Sequence, residues 1–297
     1  MRLVRYGHEE RVFVGSLQGD KVTPLAAPNG SGDRELLELA MRRDADSIGP
    51  ELSVEEVRLL PPLACPSTIR DFLTFEEHYA NFLQGQRGDA TIPDEWYRTP
   101  VFYFSTPHRV FGHDETAPRP VTDQLDYELE VAVVLGRDGS NLDEEAAIDA
   151  IAGYTMFNDL SARDIQSREM ALGLGASKCK DFANVFGPCL VTPDELPGEP
   201  GRPSARLAAR VNGKPHGEHR LERMQHSFVD MIRHASRGST VRAGDVLGSG
   251  TCATGCIIEL ACLYGHDAYP WLEPGDVVEI EGEGIGILRT VIGPRPA

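Results

Sequence analysis

The run Tyr127-Glu128-Leu129-Glu130-Val131-Ala132-Val133-Val134-Leu135 constrains this chain more than any other segment. It alternates charged and apolar residues, becomes wholly apolar, and stops at Gly136-Arg137-Asp138-Gly139, a turn sequence. The pattern is that of a β-strand. Residues i and i+2 of a strand point to the same face, so Glu128 and Glu130 project together, next to a segment suited to burial. Two neighbouring carboxylates repel each other unless a proton or a cation sits between them. A solvated strand face fits the pair as well, so on its own it leaves both readings open.

The rest of the chain places this strand in a β-rich setting. Further strands are expected over 101–104 and 154–158, from 190 onward, and over 205–211, 245–250, 256–263, 276–281 and 288–292, with Asn212-Gly213 a hairpin signal. Helices are expected over 144–152 and 228–236. Strands with few helices point to an α+β fold rather than a doubly wound sheet. Residues 1–62, with a strand over 12–17 and a helix over 34–43, read as a small leading α/β domain closed by Pro61-Pro62, and residues 63–297 as the main domain. Thr68 or Asp71 is placed to cap a helix running through Phe72, Phe75, His78, Tyr79 and Phe82.

Composition narrows the function. With 29 Lys+Arg against 46 Asp+Glu the net charge is −17, which argues against nucleic acid as a partner. The hydrophobic share of 41% excludes a disordered or collagen-like chain. No run approaches the length of a transmembrane helix and no apolar leader follows Met1, so a cytoplasmic protein without membrane contact is expected. The six cysteines form no C-x-x-C pair, so reduced, buried thiols are expected. The triad Gly282, Gly284 and Gly286 lacks the following helix that dinucleotide binding needs, and no G-x-S-x-G elbow is present.

Several residues complement the carboxylate pair. Asp159 directly follows an apolar strand, and Asp71 sits in Arg70-Asp71-Phe72. Carboxylate oxygens converging without thiolates or a histidine pair suit Mg²⁺, Mn²⁺ or Ca²⁺. On a helix His78 would share a face with Asp71, seven residues earlier, and would serve as a general base beside a metal; a half-buried helix histidine is the plainer alternative. Lys178 and Lys180, two of only four lysines, lie in a Gly-rich turn, where a lysine either holds a substrate oxygen or merely faces solvent. A bound cation would also let a chain this acidic hold a small anionic substrate.

These blocks together resemble the fumarylacetoacetate hydrolase family over roughly residues 65 to 292. The resemblance is carried by Asp126-Tyr127-Glu128-Leu129-Glu130-Val131-Ala132 and by Asn158-Asp159-Leu160-Ser161-Ala162-Arg163-Asp164-Ile165-Gln166. Lys178 ahead of Gly187-Pro188, Gly248-Ser249-Gly250-Thr251 with Ile258-Glu259-Leu260, and the closing residues 281–286 add to it. The resemblance implies a β-rich mixed-sheet roll, a homodimer, and a Mg²⁺ or Mn²⁺ ion held by Glu128, Glu130 and Asp159. The fumarylacetoacetase branch adds an aspartate followed seven residues later by a histidine, which Asp71 and His78 match. In that branch's pattern His78 takes a proton from water, Glu259 orients its ring, Lys178 steadies a substrate oxygen, and Arg163, Gln166 and Thr251 line the site. The implied reaction is hydrolysis of a carbon–carbon bond in a 1,3-diketo acid. Decarboxylation or isomerisation of a related 2-oxo acid on the same metal site is the alternative within the family, and a non-enzymatic binding protein is the alternative outside it.

Overall fold

The computed structural model describes residues 1–26 and 32–296, with the side chains of all but Gln86 and Arg87 in its helices and strands. The chain begins with strands β1 (Arg2–His8), β2 (Arg11–Gln18) and β3 (Lys21–Pro24), helix α1 (Asp33–Arg42), and short strands β4 (Leu52–Ser53) and β5 (Arg58–Leu60). Next come β6 (Thr68–Phe72), helix α2 (Glu76–Arg87), β7 (Phe102–Ser105), β8 (Val110–Phe111), β9 (Thr116–Ala117) and β10 (Leu125–Asp126). The middle holds β11 (Leu129–Leu135), α3 (Glu144–Asp149), β12 (Ile151–Asp159), β13 (Ser161–Ala162), α4 (Arg163–Ala171) and β14 (Asn184–Val191). The last part holds β15 (Gly198–Glu199), β16 (Arg202–Pro203), β17 (Arg206–Val211), β18 (Lys214–Arg220) and α5 (Phe228–Ser236). It closes with β19 (Asp245–Gly248), α6 (Ile257–Tyr264), β20 (Val277–Gly282) and β21 (Gly286–Ile292).

A mixed sheet of twelve strands runs β4-β3-β2-β1-β14-β12-β11-β19-β6-β7, with β5 on β1 and β8 on β14. The leading strands are hydrogen-bonded into it, Leu3 of β1 facing Leu190 of β14. A second sheet of five strands, β18-β17-β20-β21-β9, packs over β11, β12 and β14. This double covering explains the wholly apolar half of β11. Val131 and Val133 belong to the core shared with Leu207, Ile280 and Leu288 of the second sheet, whereas Ala132 and Val134 pack with Leu36 and Leu39 of α1 on the other side. A strand buried on both faces has no use for alternation.

Two expected elements take other forms. Residues 68–72 are a strand, not the start of a helix: β6 lies between β19, to which it is parallel, and β7, and the helix begins only at Glu76. Residues 257–264 are a helix, not a strand, although Ile257-Ile258-Glu259-Leu260 alternates in strand fashion. The buried carboxylate of Asp126 accepts hydrogen bonds from Ile257 N (2.7 Å) and Ile258 N (3.0 Å), and so satisfies the free amides of a helix N-terminus. Strand β14 ends at Val191 where a strand was expected to begin. Among the described residues no helix is long and apolar enough to cross a membrane.

Register positions the chemistry. Ala132 of β11 faces Gly248 of β19, Gly248 faces Asp71 of β6, and Asp71 faces Tyr103 of β7, so one row across four strands ends in a carboxylate and a phenol. The row is pinned by Asp245, which accepts from Arg70 Nη1 (2.8 Å), Thr68 Oγ1 (2.8 Å) and Arg242 N (3.0 Å) in a buried setting. Removing one partner of a buried ion pair strands the other charge. Asp245→Ala is therefore expected to lower stability by about 3–5 kcal/mol in urea unfolding. A loss under about 1 kcal/mol would show that this pair does not anchor β6 to β19.

Candidate metal centre and active site

Strand geometry carries Glu128 and Glu130 to one spot, as their spacing indicates, and the register of β6 and β12 brings Asp71 and Asp159 to meet them. One oxygen from each of the four carboxylates lies within 4.8 Å of the others, and all four side chains are buried. Asp71 Oδ1 and Asp159 Oδ1 have no hydrogen-bond partner there, although unpaired buried carboxylate oxygens are rare. The space beside them is kept open by Gly248, where a Cβ would stand 2.2 Å from Asp71 Oδ1 and 3.0 Å from Glu130 Oε2. An all-oxygen cluster with unsatisfied oxygens fits a hard divalent cation, and these four residues are the ones to hold it.

Cationic side chains offset part of the repulsion. Lys180 Nζ donates to Glu128 Oε2 and Asp159 Oδ2. Arg163 donates from Nη2 to Glu128 Oε1 (2.7 Å) and from Nε to Asp126 Oδ2 (2.8 Å). Burial raises the Glu128 carboxyl, but Lys180 and Arg163 outweigh it and hold Glu128 well below the usual carboxylate range. The others lack that help. Burial pushes Asp71 up to about 6 and Asp159 up to about 8, the latter against the opposing pull of Lys180. Glu130 is also raised well above the usual carboxylate range, by burial and by the charges of Asp71 and Glu128. Tyr103 donates its hydroxyl to Asp159 Oδ2, and burial beside the carboxylates keeps its phenol protonated.

The lysine expectation needs correcting. Lys178 points away from the cluster: its side chain is 74% exposed and pairs with Asp181 at 2.8 Å. Lys180, whose side chain is 3% exposed, is the one that enters the site. In the turn following α4 the two lysines fall on opposite sides, and spacing alone did not say which points inward. Tyr103 and Asn81 were not anticipated from the sequence. Tyr103 faces Asp71 only because β6 and β7 pair in this register, and no local motif marks it.

A cavity of about 280 Å³ opens on the cluster. Asp71, Glu128, His78, Tyr103, Arg163, Gln166, Lys180 and Thr251 line it, together with an apolar wall that includes Phe72, Leu73 and Phe102. His78 stands on α2 and Asp71 on β6, the element before it, rather than on one helix face, yet both reach this cavity. Its Nδ1 lies 2.7 Å from Glu259 Oε2 on α6, and Asn81 Nδ2 donates to Glu259 Oε1 at 2.7 Å. Nε2 of His78 has no hydrogen-bond partner among the described residues. Gln166 Oε1 accepts from Arg163 Nη1 (3.0 Å), and Thr251 Oγ1 lies 3.4 Å from Glu130 Oε1. No disulfide forms: Cys179, Cys189, Cys252 and Cys256 are buried free thiols, while Cys65 and Cys262 are exposed.

A mixed-sheet roll with a buried four-carboxylate cluster beside a cavity defines a class of metal-binding α+β enzyme. Residues 67–293 match the fumarylacetoacetate hydrolase C-terminal family model, and residues 1–62 match a model described as Rv2993c-like, N-terminal. The chain belongs to the fumarylacetoacetate hydrolase family. It is 32% identical to the oxaloacetate tautomerase YisK of Bacillus subtilis over 279 residues, 93% of this chain and 84% of that one. Among solved structures, a fumarylacetoacetate hydrolase from Exiguobacterium antarcticum superposes with a TM-score of 0.78 at 27% identity, covering 99% of this chain and 100% of that one. The maleylpyruvate hydrolase of Sphingobium sp. SYK-6, in complex with manganese and pyruvate, shares the fold across 100% of both chains at a TM-score of 0.72, with 17% identity.

Two measurements test this geometry. At Asp71 and Asp159 the native chain without metal binds protons more tightly than the unfolded one. Their contribution to stability is therefore fully present below the ordinary carboxylate range and is lost as pH rises through about 6 and about 8, whereas Glu128, held low by Lys180 and Arg163, contributes in the opposite sense. Mn²⁺ or Mg²⁺ is expected to raise Tm, more at about pH 9 than at about pH 5, with the rise abolished in Glu130→Gln. A shift unaffected by that substitution would place the ion elsewhere. In the second, Lys178→Ala is expected to keep full turnover, while Lys180→Ala loses at least about a hundredfold, equivalent to roughly 3 kcal/mol of barrier. Equal losses would reverse the assignment of the lysine.

Proposed function

We propose that the protein is a divalent-metal-dependent hydrolase that cleaves a carbon–carbon bond in a 1,3-diketo acid, an acylpyruvate or a fumarylacetoacetate-like substrate. The observation that carries this reading is the Asn81–Glu259–His78 chain, which leaves His78 Nε2 unpartnered on the cavity that also exposes the carboxylate cluster. Glu259 fixes the imidazole through Nδ1, the arrangement that makes the opposite nitrogen a proton acceptor. The spacing of Asp71 and His78, and the pairing of His78 with Glu259, also follow the fumarylacetoacetase pattern.

The protein's own groups supply most of the steps. Arg163, Lys180 and Gln166 give a positive and hydrogen-bonding lining for the substrate's 2-oxo acid end. A divalent cation held by Asp71, Glu128, Glu130 and Asp159 would add a Lewis acid that polarises a carbonyl. His78 Nε2 takes a proton from water, and the oxygen adds to the carbonyl distal to the carboxylate. The bond between that carbon and its neighbour breaks. The electron pair passes to the carbon next to the 2-oxo group, and the imidazolium returns the proton there. From an acylpyruvate a carboxylic acid and a 2-oxo acid leave, and water is consumed; a fumarylacetoacetate-like substrate would release a 3-oxo acid in place of the 2-oxo acid.

A second reading, keto–enol tautomerisation of a 2-oxo dicarboxylic acid, is favoured by the 32% identity to a protein named oxaloacetate tautomerase. There His78 would move a proton between carbon and oxygen and no bond between carbons would break. Product analysis separates the two readings. Metal-loaded protein is expected to convert an acylpyruvate into two acids, and His78→Ala is expected to lower that rate by about 10²–10⁴-fold while keeping the metal-induced rise in Tm. Interconversion of oxaloacetate keto and enol forms, with acylpyruvates left intact, would establish the tautomerase reading in its place.

A further inference from the structure

We propose that this site prefers a substrate with one carboxylate and an apolar acyl tail over the matching dicarboxylate. This narrows the hydrolase reading above and rests on it. The support comes from how polarity is distributed along two paired strands.

Asp71 of β6 faces Tyr103 of β7 beside the carboxylate cluster. One step outward, Phe72 faces Phe102; a further step outward, Leu73 N donates to Val101 O (3.3 Å). All of these residues line the cavity. Side chains alternate in face along a strand, so Leu73 and Val101, two steps from Asp71 and Tyr103, continue their face and carry apolar lining about 7 Å from the acidic row toward solvent. Phe82 of α2 and Met170 of α4 line the same cavity. The outer part of this wall is wet: Val101 is 44% and Met170 49% exposed. Apolar surface that continues a binding cavity and stands in water gains from being covered by an apolar group.

The cations tell the same story from the other side. Arg163 is committed to Asp126 and Glu128, and Lys180 to Glu128 and Asp159. Both stand at the acidic end, where the 2-oxo acid end of a substrate would lie. Among the described residues lining the cavity, no further lysine or arginine stands along the Leu73–Val101 side; Arg70, over the Phe102 ring, belongs to the opposite face and is tied to Asp245. A second carboxylate laid against that wall would lose water without gaining a partner, whereas a methyl-terminated chain would lose nothing.

The experiment uses 2,4-dioxo acids of increasing acyl length, in matched pairs ending in methyl or in carboxylate, with the manganese-loaded protein. For methyl-terminated substrates kcat/KM is expected to rise about threefold per added methylene until the wall is covered. The methyl-terminated member of a six-carbon pair is expected to exceed its carboxylate partner by about tenfold or more. Equal or better turnover of the dicarboxylate overturns the proposal. Val101→Lys and Met170→Lys, at exposed positions, are expected to narrow or invert the preference by supplying the missing cation; no change in either variant also counts against the proposal. Calorimetric binding of simple 2-oxo acids with the same two endings reads the preference without turnover. A methyl preference there, with no 2,4-dioxo acid hydrolysed, overturns the hydrolase reading and leaves the tail preference standing. Hydrolysis with a dicarboxylate preference in both measurements does the reverse.

Discussion

Mutual repulsion among buried carboxylates sets the terms for the rest of this molecule. Asp71, Glu128, Glu130 and Asp159 come within 4.8 Å of one another away from water, and Asp126 lies just behind them. Lys180 and Arg163 are the buried cations paired to this group, so negative charge remains in excess. Taking like charges out of water is tolerated only where protons, cations and a rigid frame compensate. The raised Asp71, Glu130 and Asp159 carboxyls express that strain, and the lowered Glu128 shows where compensation is complete. Gly248 keeps the centre open and the paired strands keep the oxygens from drifting apart.

The same electrostatics couples the acidic cluster to the histidine. Asp126 accepts from Arg163, which reaches Glu128, and from Ile257 and Ile258 at the start of α6. That helix presents Glu259, and Glu259 holds His78. One buried aspartate thus supports both the cluster and His78, and it sits in the sequence two residues before Glu128. Proton transfer beside a polarised carbonyl needs the two sites in fixed relation, and this shared support provides it. The apolar lining at Leu73, Val101, Phe82 and Met170 leaves the cavity in the opposite sense, so the two ends differ in polarity.

Much of this was legible in the sequence because it is local. Period-two spacing put Glu128 and Glu130 on one face, the apolar stretch after them announced burial, and helix α5 occupies the span over which it was expected. Residue type and spacing also singled out Asp71 and His78, and the family resemblance added Glu259; the fold puts Asp71 and His78 on one cavity with Glu259 bonded to the histidine. Alternating Ile257-Ile258-Glu259-Leu260 misled because a distant aspartate caps it as a helix, and a helix start with an outside cap carries no signal of its own.

Read alone, the residues thus define the chemistry on offer: an acidic chain, paired carboxylates on a buried strand, a histidine and a glutamate in a recognisable order. Which of these groups meet depends on long-range packing. Lys180 rather than Lys178 enters the site because a short turn orients neighbouring side chains by its packing against Glu128 and Asp159. Tyr103 joins it because β6 and β7 pair in one register, and a slip of one residue would turn its hydroxyl to the other face. Local periodicity fixes the direction of a side chain relative to its own strand. Register, and the long-range hydrogen bonds that enforce it, fix what that side chain faces.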